Sequence, residues 1–106
     1  MVVKVLIKRR FKEGKARDGF TLLKKLRSDA MSQRGYISGE TLVGHDDPQK
    51  VLVISLWYNL ENWLKWKENT NRKTVESELE EYLKGPTEYE VYLLGTETVP
   101  MKGPRK

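Results

Sequence analysis

Few side chains in this sequence have chemistry to offer. His45 stands beside Asp46 and Asp47; its ordinary pKa is the only one near neutrality, so the cluster suggests proton transfer or a single metal ligand. Between Gly44 and Pro48, the same residues also read as a solvated turn. Arg9 shares the parity of Val3, Val5 and Ile7. That aims a cation inward at an anionic ligand, or else leaves the fraying end of a strand reaching for water. Trp66 lies on an amphipathic helical pattern, as core packing or as the wall of a pocket. Trp57 and Trp63 read as packing.

What the sequence lacks narrows the chemistry further. It has no cysteine, which excludes disulfides, thiolate metal sites and a cysteine nucleophile and fits a reducing compartment. One histidine excludes a multi-histidine metal site within a chain. Neither a metal nor a cofactor is expected.

These residues must be positioned by regular elements, and the clearest begins at Val51. From Val51 to Tyr58 the chain is β-branched, aromatic or aliphatic with no glycine or proline, a strand whose two faces are both unsuited to water. Asn59 follows as a helix N-cap, with Tyr58 and Trp63 spaced to close as a hydrophobic staple. The helix it starts carries Asn62, Trp63 and Trp66.

Residues 2 to 11 alternate as a first strand. Ala16, Phe20, Leu23, Leu26 and Ala30 recur at helical spacing, predicting a helix from about Lys15 to Gln33 that Gly35 stops. Tyr36 to Val43 reads as a weaker strand turned back by Gly44 to Pro48 into the Val51 strand as an antiparallel hairpin. Beyond Asn69, Val75, Leu79, Tyr82 and Leu83 form a second apolar stripe opposite Glu76 and Glu80, ended by Gly85-Pro86. Thr87 to Leu94 is a last strand.

The order strand, helix, strand, strand, helix pair, strand predicts an α+β fold: a four-stranded antiparallel sheet with every helix on one face. The 106 residues make one domain, residues 1–95, followed by a basic, loose tail over 96–106. Apolar residues are 38% and charged residues 33%, as in soluble globular proteins. No apolar run is long enough to cross a bilayer, and the first residues have no secretory pattern. A cytoplasmic protein without membrane contact is the expectation. The net charge of +5 and pI near 9.5 come from dispersed lysines and arginines, a solvated surface rather than a nucleic-acid footprint. The uncovered sheet face keeps Leu, Ile, Val and Tyr, a patch that a second copy would cover sheet against sheet. A homodimer with a barrel-like core is therefore expected.

Phe11-Lys12-Glu13-Gly14-Lys15 closing the first strand, Gly35-Tyr36 opening the second, Asp46-Asp47-Pro48 before the third, and Val51 to Trp57 followed nine residues on by Trp66 together resemble the antibiotic biosynthesis monooxygenase superfamily. The resemblance spans roughly residues 2 to 95. It implies ferredoxin-like subunits paired as a dimeric α+β barrel, in a group that includes cofactor-independent oxygenases of aromatic polyketides and quinols, haem-degrading enzymes and dimers of other roles. The haem-degrading pattern is only partly matched: Trp66 agrees, but Ile7 stands where an asparagine is expected and Glu76 near the histidine position. With no axial imidazole there, that chemistry is disfavoured.

The cofactor-independent branch implies an apolar pocket in which polar groups orient a phenol or quinol and assist its deprotonation, so that the anion reacts with dioxygen. By resemblance Trp66 and Asn62 form its wall, with Tyr36, Arg9, Trp63 or Tyr82 in reach. The assignment is Trp66 as wall, Asn62 and Tyr36 orienting, and Arg9 stabilising developing negative charge. Asn62 equally suits an exposed first helical turn. The enzyme expected is a monooxygenase of a small aromatic or quinol-like substrate. The alternative is a non-catalytic homodimer that binds an apolar metabolite. RNA binding ranks below both, because Val51-Leu52-Val53-Ile54 lacks the aromatic stacking platform of RNA-recognition sheets.

Overall fold

The computed structural model describes residues 1–94; the basic tail expected over 96–106 lies outside the described residues. The chain runs β1 (Val3–Arg10), α1 (Ala16–Met31), β2 (Tyr36–Val43), β3 (Lys50–Trp57), α2 (Leu60–Lys67), α3 (Thr70–Leu79), one turn of 3-10 helix (Glu80–Tyr82) and β4 (Glu88–Leu93). The strands form one sheet in the order β2-β3-β1-β4, antiparallel throughout. This is the ferredoxin-like arrangement, and the expected α+β class holds.

Strand parity sorts the side chains. Ile7 lies opposite Val53 on β3 and Tyr89 on β4, so Val3, Val5, Ile7 and Arg9 share a face with Val51, Val53, Ser55 and Trp57. The helices cover this face, burying Val3, Val5, Trp57, Trp63, Val75 and Leu79 to within a few per cent. On the opposite face Leu6, Leu52, Ile54 and Leu56 are only half-buried, Leu42 and Tyr92 are exposed, and Lys8 pairs with Glu90 at 3.1 Å. Among the described residues no helix crosses that face.

The helix boundaries have local causes. Asn59 Oδ1 accepts from the Asn62 backbone N–H at 2.8 Å, and Asn69 Oδ1 accepts from the Arg72 N–H at 3.0 Å. Each satisfies a donor that the first turn leaves free. Gly35 takes φ +87° after α1, a left-handed turn that favours glycine. The staple expected between Tyr58 and Trp63 does not form. Tyr58 is 66% exposed, while Trp63 turns inward against Trp57 and Tyr89, each ring centroid 6.0 Å away. Burial between two aromatic rings outweighs a local contact on the surface.

Two backbone details set where side chains point. In β2 the pairing passes from Tyr36 opposite Trp57 to Ser38 opposite Leu56, so Ile37 is an extra residue. The bulge puts Tyr36 on the helix-covered face together with Thr41, which plain alternation would not allow. In α1, a Cβ on Gly19 would overlap the Phe11 ring; the missing side chain lets the helix lie directly on that ring.

Candidate active site

Between the helix layer and the sheet lies a cavity of about 50 Å³, walled by Tyr36, Trp57, Trp63 and Trp66 and floored by Ile7, Val53 and Ser55. Its lining is mostly apolar. The aromatic wall is continuous: Tyr36 meets Trp57 edge-on, centroids 5.4 Å apart at 87°, and Trp57 leads through Trp63 to Tyr89. Ser55 and Trp57 are two apart on β3 and so share a face, where the Trp57 indole N–H donates to Ser55 Oγ at 3.0 Å.

Set into this wall is a buried charge network. Arg9, from the end of β1, donates through Nη2 to Glu76 Oε2 at 2.6 Å. Arg72, one turn before Glu76 on α3, approaches the same oxygen at 2.9 Å. Arg72 also donates to the Tyr89 hydroxyl at 2.6 Å and to the Lys67 carbonyl at 3.1 Å. Its guanidinium lies 5.7 Å from the Trp63 ring centroid and 5.5 Å from that of Tyr89, in range for cation–π attraction. Both arginines are 4% exposed. Burial, foremost, holds the Arg9 pKa below the ordinary guanidinium range, and the nearby Arg72 charge acts in the same direction; Glu76 and Tyr89 oppose them. Arginine retains its charge at neutral pH under such shifts. Arg9 Nε is buried with no hydrogen-bond partner.

Of the four assigned residues, the structure brings Trp66, Tyr36 and Arg9 to this one cavity. Asn62 is not among its lining residues; its side chain lies against Gly35, where a Cβ would overlap it. Trp63 lines the cavity, whereas Tyr82 lines a separate cleft with Asp18, Thr21 and Leu22. His45 is exposed and, among the described residues, pairs with its neighbour, Nδ1 to Asp46 Oδ1 at 2.8 Å.

Sequence reading missed Arg72 and misplaced Glu76, which does not oppose the apolar stripe of α3 but turns inward between two guanidinium groups. One signal was there: Arg72 precedes Val75 and Leu79 by three and seven residues, in phase with the buried stripe, and Glu76 follows it by four. The partner on β1 is 67 residues from Glu76, and no local pattern encodes that meeting.

Among the described residues no group of three or more histidine, cysteine, aspartate or glutamate side chains is placed to hold a metal, and no helix is long and apolar enough to cross a membrane.

The family model described as antibiotic biosynthesis monooxygenase matches residues 2–84. No protein of curated function matches the chain in sequence. Solved structures share the fold at low identity. A conserved protein from Methanosarcina mazei Go1 is 20% identical, with 87% of this chain and 91% of that chain covered and a TM-score of 0.82. SnoaB from Streptomyces nogalater, a cofactor-independent oxygenase, is 12% identical, covering 93% and 97% with a TM-score of 0.80. Rv0793 from Mycobacterium tuberculosis is 11% identical, covering 91% and 97% with a TM-score of 0.82.

Proposed function

The chain belongs to the antibiotic biosynthesis monooxygenase family, and from that premise we propose that it is a cofactor-independent monooxygenase of a small aromatic or quinol-like substrate. The observation that carries this reading is the apolar, aromatic-walled cavity with Arg9, Glu76 and Arg72 buried at its edge. In such a site the ring of the substrate stacks on Trp66 and Tyr36 and water is excluded. The positive charge of Arg9 favours the deprotonated, electron-rich form of the substrate, because an anion is stabilised strongly by a cation in a low-dielectric wall. Dioxygen is the oxidant. At an activated ring methylene, one of its atoms becomes the new carbonyl oxygen and the other leaves as water with the two hydrogens of that carbon.

The unit that works is a homodimer, sheet facing sheet. Support comes from the half-buried Leu6, Leu52, Ile54 and Leu56 on the face without helices, an apolar patch of the kind that marks association. Sedimentation showing a stable monomer at micromolar concentration would remove this part.

Oxygen uptake with a panel of anthrones and hydroquinones tests the reaction. Uptake should be lost in Trp66→Phe and kept in Tyr58→Phe, an exposed position away from the cavity. Trp57 does not serve as the control, since it is part of the wall.

One observation favours the second reading, a non-catalytic dimer that holds an apolar metabolite. Glu76, the carboxylate of the charge network, is paired with two guanidinium groups, and His45 stands on an exposed loop beside Asp46, so neither is placed as a free base in the cavity. An intact dimer that consumes no oxygen with any substrate of the panel is the outcome this reading requires.

A further inference from the structure

Two buried guanidinium groups and the partly buried Glu76 carboxylate stand at the edge of the cavity. At its mouth Arg27 is exposed, its guanidinium donating to the Gly39 carbonyl, and does not belong to the buried interior. Among the described lining residues the interior is therefore left with one positive charge and no counter-ion. A surplus charge buried among tryptophans is unfavourable unless an anion completes it. The same network holds an unsatisfied donor. Arg9 Nη2 is engaged by Glu76, while Arg9 Nε on the same guanidinium is buried and unpartnered. Nε–H lies beside Nη2 in the guanidinium plane, so a carboxylate there takes one hydrogen bond from Nε and shares Nη2 with Glu76.

We propose that the cavity is built for an aromatic acid, its ring against Trp66 and Tyr36 and its carboxylate on Arg9 beside Arg72. This deepens the preceding section and rests on its reading of the cavity as the place where the ligand binds. The carboxylate serves recognition. It neutralises the network and fixes one end of the ring, leaving the far end toward Trp66 to react. The cavity of about 50 Å³ is smaller than the roughly 150 Å³ that accepts benzene in an engineered apolar core, so binding opens it. The contact to open is at the mouth, where Arg27 on α1 donates to the Gly39 carbonyl on β2 at 2.5 Å.

The test compares benzoate with benzamide, which have the same shape and differ in charge, by quenching of the wall tryptophans in the full-length protein at pH 7. Benzoate should bind roughly tenfold to a hundredfold tighter, the range for hydrogen bonds to a charged group. Arg9→Met should bring benzoate down to the affinity of benzamide and leave benzamide unchanged. Glu76→Gln should act in the opposite sense, tightening benzoate several-fold by freeing both cations. A merely structural ion pair would not produce that gain. The wild-type comparison decides even if a variant fails to fold: equal affinities, tighter benzamide, or no binding of either at tens of millimolar overturns the proposal, as does a folded Glu76→Gln that binds benzoate more weakly. The two readings fail separately. Charge-selective binding without oxygen uptake leaves the acid site standing and removes the oxygenase. Uptake with neutral hydroquinones, without preference for their carboxylated counterparts, does the reverse.

Discussion

Ser55 has one task in this interior: its Oγ accepts the Trp57 indole N–H, and both residues are buried. A donor stranded out of reach of water costs about 1–3 kcal/mol. Ser55→Ala should therefore lower stability by about that amount, read as a shift of the urea midpoint at unchanged slope. The alternation of β3 made the shared face of positions 55 and 57 readable, and that of β1 made readable the parity Arg9 shares with Val3, Val5 and Ile7, one of two readings of its aim. What Arg9 would meet was not readable. The meeting of Arg9 with Glu76 requires α3 to be laid across the sheet at one height, and side-chain periodicity carries no such information. Asn62 shows the converse. Its place one turn before Trp66 suggested a shared pocket, but it flanks α2 on the side of Gly35, and the backbone turn there takes up its side chain.

Among the elements, α1 and β2 depend on details that periodicity does not contain. Alanine usually stabilises a helix relative to glycine by up to about 1 kcal/mol. Gly19→Ala should do the opposite, because its methyl group would have to displace the Phe11 ring, and overpacking of that kind costs about 1–3 kcal/mol. Phe11→Leu should recover part of the loss when combined with it, and thermal unfolding of the single and double variants checks the sign. The helix after β3 was legible at its start, since Asn59 caps by local chemistry; Asn69 read only as a break in periodicity, and its capping of α3 came from the structure. The bulge at Ile37 was not, although it alone turns Tyr36 to the cavity. Because Arg27 bridges α1 to β2 over the mouth, Arg27→Ala should raise the association rate of benzoate in stopped-flow quenching. Its effect on stability should be small, as for an exposed side chain.

For the molecule as a whole, the unequal faces of the sheet matter most. Ile54 lies at the centre of the face without helices, opposite Leu6 and Glu40. The homodimer proposed above predicts that Ile54→Lys shifts sedimentation toward monomer while the far-ultraviolet spectrum keeps its α+β form; unchanged sedimentation removes the proposed sheet-to-sheet contact. The topology itself was readable because seven elements in this order leave few ways to pack.

The ion network also bears on how the chain finds this arrangement. If β1 were threaded one position out of step, Arg9 would swing to the solvent side and the basic neighbour of opposite parity, Lys8 or Arg10, would take its place at a different height. Glu76 and Arg72 would then face one another without their third member, and Val3, Val5 and Ile7 would be turned outward at the same time. Greasy contacts alone tolerate approximate docking, whereas a sequestered salt cluster penalises it steeply. The trio that equips the cavity thus also disfavours a β1 register one position out of step.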